Sequence, residues 1–235
     1  MKKQISFREE LEKLAVKGRK QFSEKIILTK NPVLGLRAAD IRALTKKLIK
    51  EGRQNEVLGK KPSCYEENII YGLLLSNPAR GAKQIAAALK TYAPLVDNWA
   101  SCDVFCSSLK VNAEDKPALW TALQPYLKDK REFYARLGFV MLLCHFVEEA
   151  YLLRIFAACD AARSKDYYAH MALAWLISVC FVKYPKETFA YLQADKLGNK
   201  THNKALSKIR ESFRVSAADK ERVLLLRRKG AQDEA

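Results

Sequence analysis

The chain has 235 residues, of which 49% are hydrophobic and 29% charged, with only nine glycines and seven prolines. This balance excludes an intrinsically disordered chain and favours helices joined by short loops around a buried core. The formal net charge of +16 indicates either a polyanionic partner or a solvated, lysine-rich surface.

The basic charge is concentrated at the two ends. Residues 1–61 carry 17 Lys and Arg against 7 Asp and Glu, and residues 183–235 carry 13 against 7. Residues 62–182 balance at 12 against 12. Two basic ends around a neutral centre would suit an arc that holds a polyanion along its backbone.

Apolar residues recur at helical spacing along nearly the whole chain. In chain order the pattern predicts one or two helices in 7–28, then helices over 39–50, 64–75 and 82–92, a helix that carries Trp99 and Asp103, and helices over 116–127, 131–146, 149–162, 167–182, 186–194, 203–213 and 216–228. Asp97 is the predicted N-cap of the helix with Trp99. In 39–50 three cations lie opposite the apolar stripe, namely Arg42, Lys46 and Lys50.

About a dozen short helices with short connections predict antiparallel helix pairs. We therefore expect an all-α protein, an α-α superhelix of HEAT-like repeats with a concave basic face, forming a single domain over 1–235. An irregular helical bundle is the alternative arrangement, because no repeat consensus can be aligned by eye.

The six cysteines form no Cys-x-x-Cys motif, and no histidine lies at metal-ligand spacing from any pair of them. We expect reduced thiols, no bound metal and no cofactor. The N-terminus is charged where a signal peptide needs an apolar core, and the longest uncharged stretches, 137–144 and 171–182, are too short to span a bilayer. These features predict a soluble protein of the bacterial cytoplasm or nucleoid, without a membrane partner. Nothing in the sequence demands more than a monomer, which is the expected state.

Four residues stand out by their spacing. Trp99 and Asp103 are four apart, so they share one face of a helix. Arg136 follows Trp99 by 37 residues, and Trp175 follows Arg136 by 39. These intervals are close to the period of a two-helix HEAT repeat, about 40–47 residues. Successive repeats would place the four side chains at similar heights on one wall.

Each of these residues also has a purely structural interpretation. Arg136 is the one charge in an apolar run, and it either pairs with an internal acid such as Asp103 or holds a phosphate. Trp175 taken alone is typical of a core residue. Trp99 opens its helix beside two polar residues and is expected at a rim. Asp103 either pairs internally or faces a functional cleft.

At these residues the chain resembles the AlkD-like family of DNA alkylation repair enzymes, which are HEAT-like-repeat DNA glycosylases. The resemblance covers nearly the whole length. It includes the segment 31–37 (NPVLGLR), the pair Trp99 and Asp103, Arg136, Trp175 with the later Tyr184-Pro185, and the segment 203–210 (NKALSKIR).

The resemblance implies an enzyme that excises cationic N3- or N7-alkylated purines from double-stranded DNA. It implies that Asp103 is the catalytic carboxylate, that Trp99 and Trp175 pack against the damaged nucleotide, and that Arg136 and Arg37 contact the DNA backbone. The chain departs from the family pattern at Asn98, Ile26 and Ser178, where the family has an aromatic, another aromatic and a cation.

Two other functions are compatible with the sequence. A non-catalytic HEAT-repeat DNA-binding protein with an altered site would keep the charge distribution without using the acid. A protein-binding helical scaffold would not need the basic ends, which makes it the weaker alternative.

Overall fold

The computed structural model describes residues 5–194 and 196–229, and within these ranges the chain forms α-helices, two short 3-10 turns and no strand. The helices are α1 (Phe7–Lys13), α2 (Arg19–Ile26), α3 (Ala38–Lys50), α4 (Asn55–Leu58), α5 (Tyr65–Ser76), α6 (Gly81–Tyr92), α7 (Trp99–Ser108), α8 (Lys116–Leu127), α9 (Glu132–His145), α10 (Glu149–Asp160), α11 (Tyr167–Lys183), α12 (Pro185–Gln193), α13 (Asn199–Glu211) and α14 (Ala217–Leu224). The predicted all-α class is confirmed, and the succession of short helices is consistent with an α-α repeat fold.

Most helices lie within one or two residues of their predicted ranges, and α4 was not predicted. Two differences occur near the C-terminus. Helix α13 begins at Asn199, four residues before the predicted start, and α14 ends at Leu224 instead of continuing to residue 228. The chain after α14 leaves the helix because α13 supplies other partners: Asn203 exchanges two hydrogen bonds with the backbone of Arg228, and the His202 ring bonds the carbonyl of Leu226.

The chain divides into two compact units, Met1–Leu119 and Trp120–Ala235. The boundary falls within α8. The single domain predicted over 1–235 stays a prediction.

In the first unit, α5 packs against α3 and α7. Its core is formed by apolar side chains from α1, α3, α5 and α7 and from the loop before α3, among them Leu11, Leu48, Ile70 and Val33. Helix α5 is apolar on most sides, which explains why it is the buried centre of this unit.

In the second unit, α11 takes the same central position and packs against both α9 and α13. Its buried residues include Leu173, Leu176, Ile177 and Phe181. All six cysteines lie outside disulfides, and five of them are buried while Cys144 is partly buried. Of the helices that the structure describes, none combines the length and apolar character needed to cross a bilayer.

Candidate functional site

The start of α7 is held by two adjacent polar residues with different partners. Asn98, fully buried, is the N-cap: its side-chain oxygen accepts a 2.9 Å hydrogen bond from the backbone N–H of Ser101. The prediction of Asp97 as N-cap is therefore wrong. Its carboxylate instead accepts hydrogen bonds from Thr29, Lys30 and Asn31 at 2.8–3.1 Å, which ties the loop after α2 to the start of α7.

Trp99 is the first residue of α7 and is partly exposed, as predicted for a residue at a rim. Its indole packs against the core of the first unit, and its Nε1–H donates a 3.0 Å hydrogen bond to the carbonyl of Ile26. Asp103 lies one turn further on the same face and is also partly exposed. The structure thus brings an aromatic face and a carboxylate together on one accessible side of α7.

Helix α2 turns its apolar residues outward. Phe22 is 57% exposed and Ile26 45%, Leu28 just after the helix is 64% exposed, and Ser23 is the only buried residue of the helix. A water-soluble helix normally buries such side chains. Because Ile26 accepts the hydrogen bond of Trp99, this apolar surface is anchored to the start of α7. Sequence analysis missed it, since nothing local to α2 shows which face stays open.

The segment before α3 is organised by a buried acid. The Glu66 carboxylate, fully buried on α5, accepts hydrogen bonds from the backbone N–H groups of Leu34, Gly35 and Leu36. Gly35 has φ +92°, and a Cβ there would lie 2.5 Å from the backbone nitrogen of Lys20. Only glycine fits this position. The sequence does carry a signal for Glu66, since an acid inside the mostly apolar predicted helix 64–75 indicates a buried carboxylate with hydrogen-bond partners. The sequence analysis did not single out this residue.

Arg37 follows directly on this segment at the start of α3. Its guanidinium is largely exposed and forms a 2.9 Å ion pair with Asp40, one turn along the helix. An exposed pair of this kind is weak and leaves further N–H donors accessible to a ligand. The predicted contact of Arg37 with a DNA backbone stays a prediction.

In the second unit Arg136 lies on α9 and is only 5% exposed. Its Nη1 donates a 2.9 Å hydrogen bond to the carbonyl of Tyr168 on α11, and the guanidinium carbon lies 5.9 Å from the centre of the Tyr168 ring. Burial is the main reason that the pKa of Tyr168 is raised. Arg136 therefore links α9 to α11, and its predicted DNA contact stays a prediction.

Trp175 is 36% exposed on α11, so the interpretation of this residue alone as part of the core is wrong. Tyr168 precedes it by two helical turns, and the two rings therefore share the outward face of α11. Ser178 is buried, and its hydroxyl donates a 2.8 Å hydrogen bond to the Trp175 carbonyl. The side chain found where the family has a cation thus points into the helix packing.

The predicted site residues are divided between the two units. Trp99, Asp103 and Arg37 belong to the first, and Arg136 and Trp175 belong to the second. Each unit thus presents a tryptophan that is at least partly open to solvent. In the described ranges, no three His, Cys, Asp or Glu side chains are grouped so that they could hold a metal ion.

Comparison with protein families gives a match over most of the chain. Residues 7–213 match the family model described as DNA alkylation repair enzyme. Comparisons with curated proteins and with solved structures gave no significant match.

Proposed function

This chain belongs to the DNA alkylation repair enzyme family, and we propose that it is a DNA glycosylase that excises N3- and N7-alkylated purines from duplex DNA. Family membership makes DNA the substrate. The proposal adds that the reaction is hydrolysis of the N-glycosidic bond and that the protein acts as a monomer in the cytoplasm.

The chemistry needs few protein groups. An alkylated purine carries a positive charge, so it leaves with the bonding electron pair as a neutral base without being protonated first. Cleavage develops positive charge on the deoxyribose, which a nearby carboxylate stabilises. Water then adds its oxygen to the anomeric carbon and releases a proton, and the carboxylate can orient that water and accept the proton.

Asp103 is the residue that supports this proposal most directly. It is an acid that reaches solvent on a largely apolar helix, on the same face as the partly exposed Trp99. A carboxylate beside an aromatic face suits a sugar that becomes cationic, because the ring adds cation–π attraction of about 0.5–2 kcal/mol. The Trp99 ring is held in place by its hydrogen bond to Ile26.

Trp175 supports a similar role from the second unit. A 36% exposed tryptophan on the central helix of its unit leaves apolar surface in water, which is typical of a binding position. Arg37 is the more accessible of the two proposed backbone-binding cations, since Arg136 is 5% exposed. We propose that Arg136 acts on the DNA backbone only where the strand comes close to Tyr168.

A non-catalytic DNA-binding protein is the alternative, and one observation favours it. Asn98 is buried as an N-cap, so the position where the family has a second aromatic offers no surface to DNA. Binding experiments alone cannot separate the two functions, because both predict affinity that falls with salt.

Base release from a duplex that contains 7-methylguanine is the decisive measurement. We expect wild-type protein to release the free base, and Asp103→Asn to lose release by roughly a hundredfold or more while binding the same duplex. Glu114→Gln is the matched control, since it removes one exposed negative charge elsewhere in the first unit and should leave release unchanged. Wild-type protein that binds the duplex but releases no base would establish the non-catalytic alternative.

A further inference from the structure

A pocket in the first unit lies beside the face of α7 that carries Asp103. It has a volume of about 350 Å³. Its walls come from the middle of α3, the end of α5 and the last turn of α7, and its lining residues are Arg42, Thr45, Lys46, Ile49, Leu73, Ser76, Asn77, Ser107 and Ser108. These residues include two cations, four hydroxyls and one amide but no acid.

The two cations have no counter-charge. Arg42 and Lys46 are exposed on α3 and form no ion pair with any residue in 5–194 or 196–229. Of the other cations at this helix, Arg37 pairs with Asp40 and Lys47 with Glu10. Lys50 forms no ion pair with the described residues either, but it does not line the pocket. Like charges at positions i and i+4 repel each other, and a bound anion would relieve that repulsion.

The hydroxyl groups are arranged so that one can turn to a ligand at little cost. Ser107 and Ser108 both donate to the carbonyl of Val104, at 3.2 Å and 2.6 Å. If Ser107 rotates its proton towards an anion, the shorter bond from Ser108 still satisfies that carbonyl. The Asn77 side chain is exposed, and it has no hydrogen-bond partner among the described residues.

Two neighbouring cations with hydroxyl and amide donors are the groups that bind a phosphoryl oxygen. The pocket also has a defined position relative to the proposed reaction. Ser107 follows Asp103 by four residues on the same face of α7, which separates their Cα atoms by about 6 Å at about 1.5 Å per residue. Successive phosphates of one strand lie about 3.4 Å apart along the duplex axis. A strand that runs along α7 with its sugar at Asp103 would therefore bring a phosphate one or two nucleotides away to Ser107.

From this geometry we propose that the pocket between α3, α5 and α7 binds one phosphodiester of the DNA strand that carries the damaged base. Arg42 and Lys46 neutralise its charge, and Ser107 and Asn77 donate hydrogen bonds to it. The site rests on the proposed function for its position near the lesion, but duplex binding at this pocket does not require base release.

The test combines a charge-removing double variant with a charge-removing change in the DNA. The duplex contains 7-methylguanine, and single uncharged methylphosphonates replace the phosphates of its strand one at a time. For wild-type protein we expect one position, within two nucleotides of the lesion, at which the replacement weakens binding roughly tenfold. The variant R42Q/K46Q should bind the unmodified duplex as weakly as wild-type protein binds the duplex with that replacement. In this variant, the replacement at that position should not weaken binding further.

A second readout uses undamaged duplex and is independent of catalysis. The slope of log affinity against log salt should be shallower by about 0.9 in R42Q/K46Q than in wild type, because one phosphate contact is lost. The control K83Q/K90Q removes two exposed cations from α6, outside the pocket, and should keep the position-specific methylphosphonate effect.

The proposal would be overturned if R42Q/K46Q and the methylphosphonate lowered the affinity additively at every position and the salt slope of the variant were unchanged. This holds even if the protein releases damaged bases. Binding of inorganic phosphate that depends on Arg42 and Lys46, without coupling to any DNA position, would assign the pocket to a free phosphate and also overturn it. Coupling in a protein that releases no base would support the pocket and refute the glycosylase.

Discussion

The indole of Trp99 donates a hydrogen bond to the carbonyl of Ile26 across 73 residues of sequence. It therefore joins the first residue of α7 to the last residue of α2. Asp97 adds a second connection, because its carboxylate binds the loop at 29–31. The outward apolar residues of α2 are thereby held next to the helix face that carries Asp103.

Replacing Trp99 should separate the function of its ring from that of its N–H group. Trp99→Phe keeps an aromatic face but loses the donor to Ile26, so we expect the free energy of unfolding to fall by about 1 kcal/mol with partial retention of base release. Trp99→Ala loses both and should reduce release more strongly. Urea unfolding and a base-release assay measure the two effects. Equal activity of the two variants would show that the ring takes no part.

Trp175 and Trp120 make a matched pair in the second unit. Trp175 is 36% exposed, whereas Trp120 is 6% exposed and packs against Phe146 and Tyr151. Trp175→Ala should lower base release while it changes stability by about 0.5 kcal/mol or less. Trp120→Ala should destabilise the protein by about 3–5 kcal/mol. A large loss of stability for Trp175→Ala would contradict an exposed functional position.

The segment before α3 should be sensitive to small changes. Gly35→Ala adds a Cβ within 2.5 Å of the Lys20 backbone at φ +92°, so we expect a loss of about 2 kcal/mol or more. Glu66→Gln places an amide that can donate but accepts through one oxygen only, opposite three backbone N–H groups, and should lose about 1–3 kcal/mol. Thermal unfolding measures both. Wild-type stability in either variant would show that this loop rearranges freely.

Arg53 predicts a dependence of stability on pH. It is buried and donates to Glu10, Glu51 and Glu56, and its hydrogen bond to Glu56 lowers the pKa of that carboxyl. A lowered pKa in the folded state gives stability that is present above about pH 4.3 and is lost as the pH falls through the lowered value.

Arg53→Met should remove this contribution along with the ion pairs. We expect it to destabilise the protein at pH 7 by about 3 kcal/mol and to show a smaller further loss between pH 5 and pH 3 than the wild type. Urea unfolding at a series of pH values measures this. Parallel pH profiles for the two proteins would show that the Arg53 interactions do not control the acid response.

Local pattern was sufficient to predict most of the helices, although not the short α4. The range predicted for α8 is the observed one, and α11 extends one residue beyond its prediction, because the spacing of apolar residues depends only on neighbours along the chain. Cap identity was less predictable at α7. Asp97 and Asn98 are both good N-cap residues, and the choice depends on Thr29 and Asn31, which lie more than 60 residues away.

The sequence predicts which residues belong to the candidate site, but not which sides of their helices are open to solvent. Helix α11 is apolar on nearly every side, so the sequence does not show which face remains open, and Trp175 was taken alone as a core residue. Glu66 and the pocket at Arg42 were not recognised as sites, because their partners come from loops and helices distant in sequence.

The sequence by itself determined the helical class, the order of helices, the basic ends and the family resemblance that the family comparison bears out. These properties follow from composition, local periodicity and short motifs. Only the tertiary structure decided which aromatic residues reach solvent, which acid organises the segment before α3, and that Arg42 and Lys46 stand without counter-charge beside α7. Burial and hydrogen bonding are set by contacts between residues that are distant in sequence. Local sequence patterns do not show which distant residues come into contact.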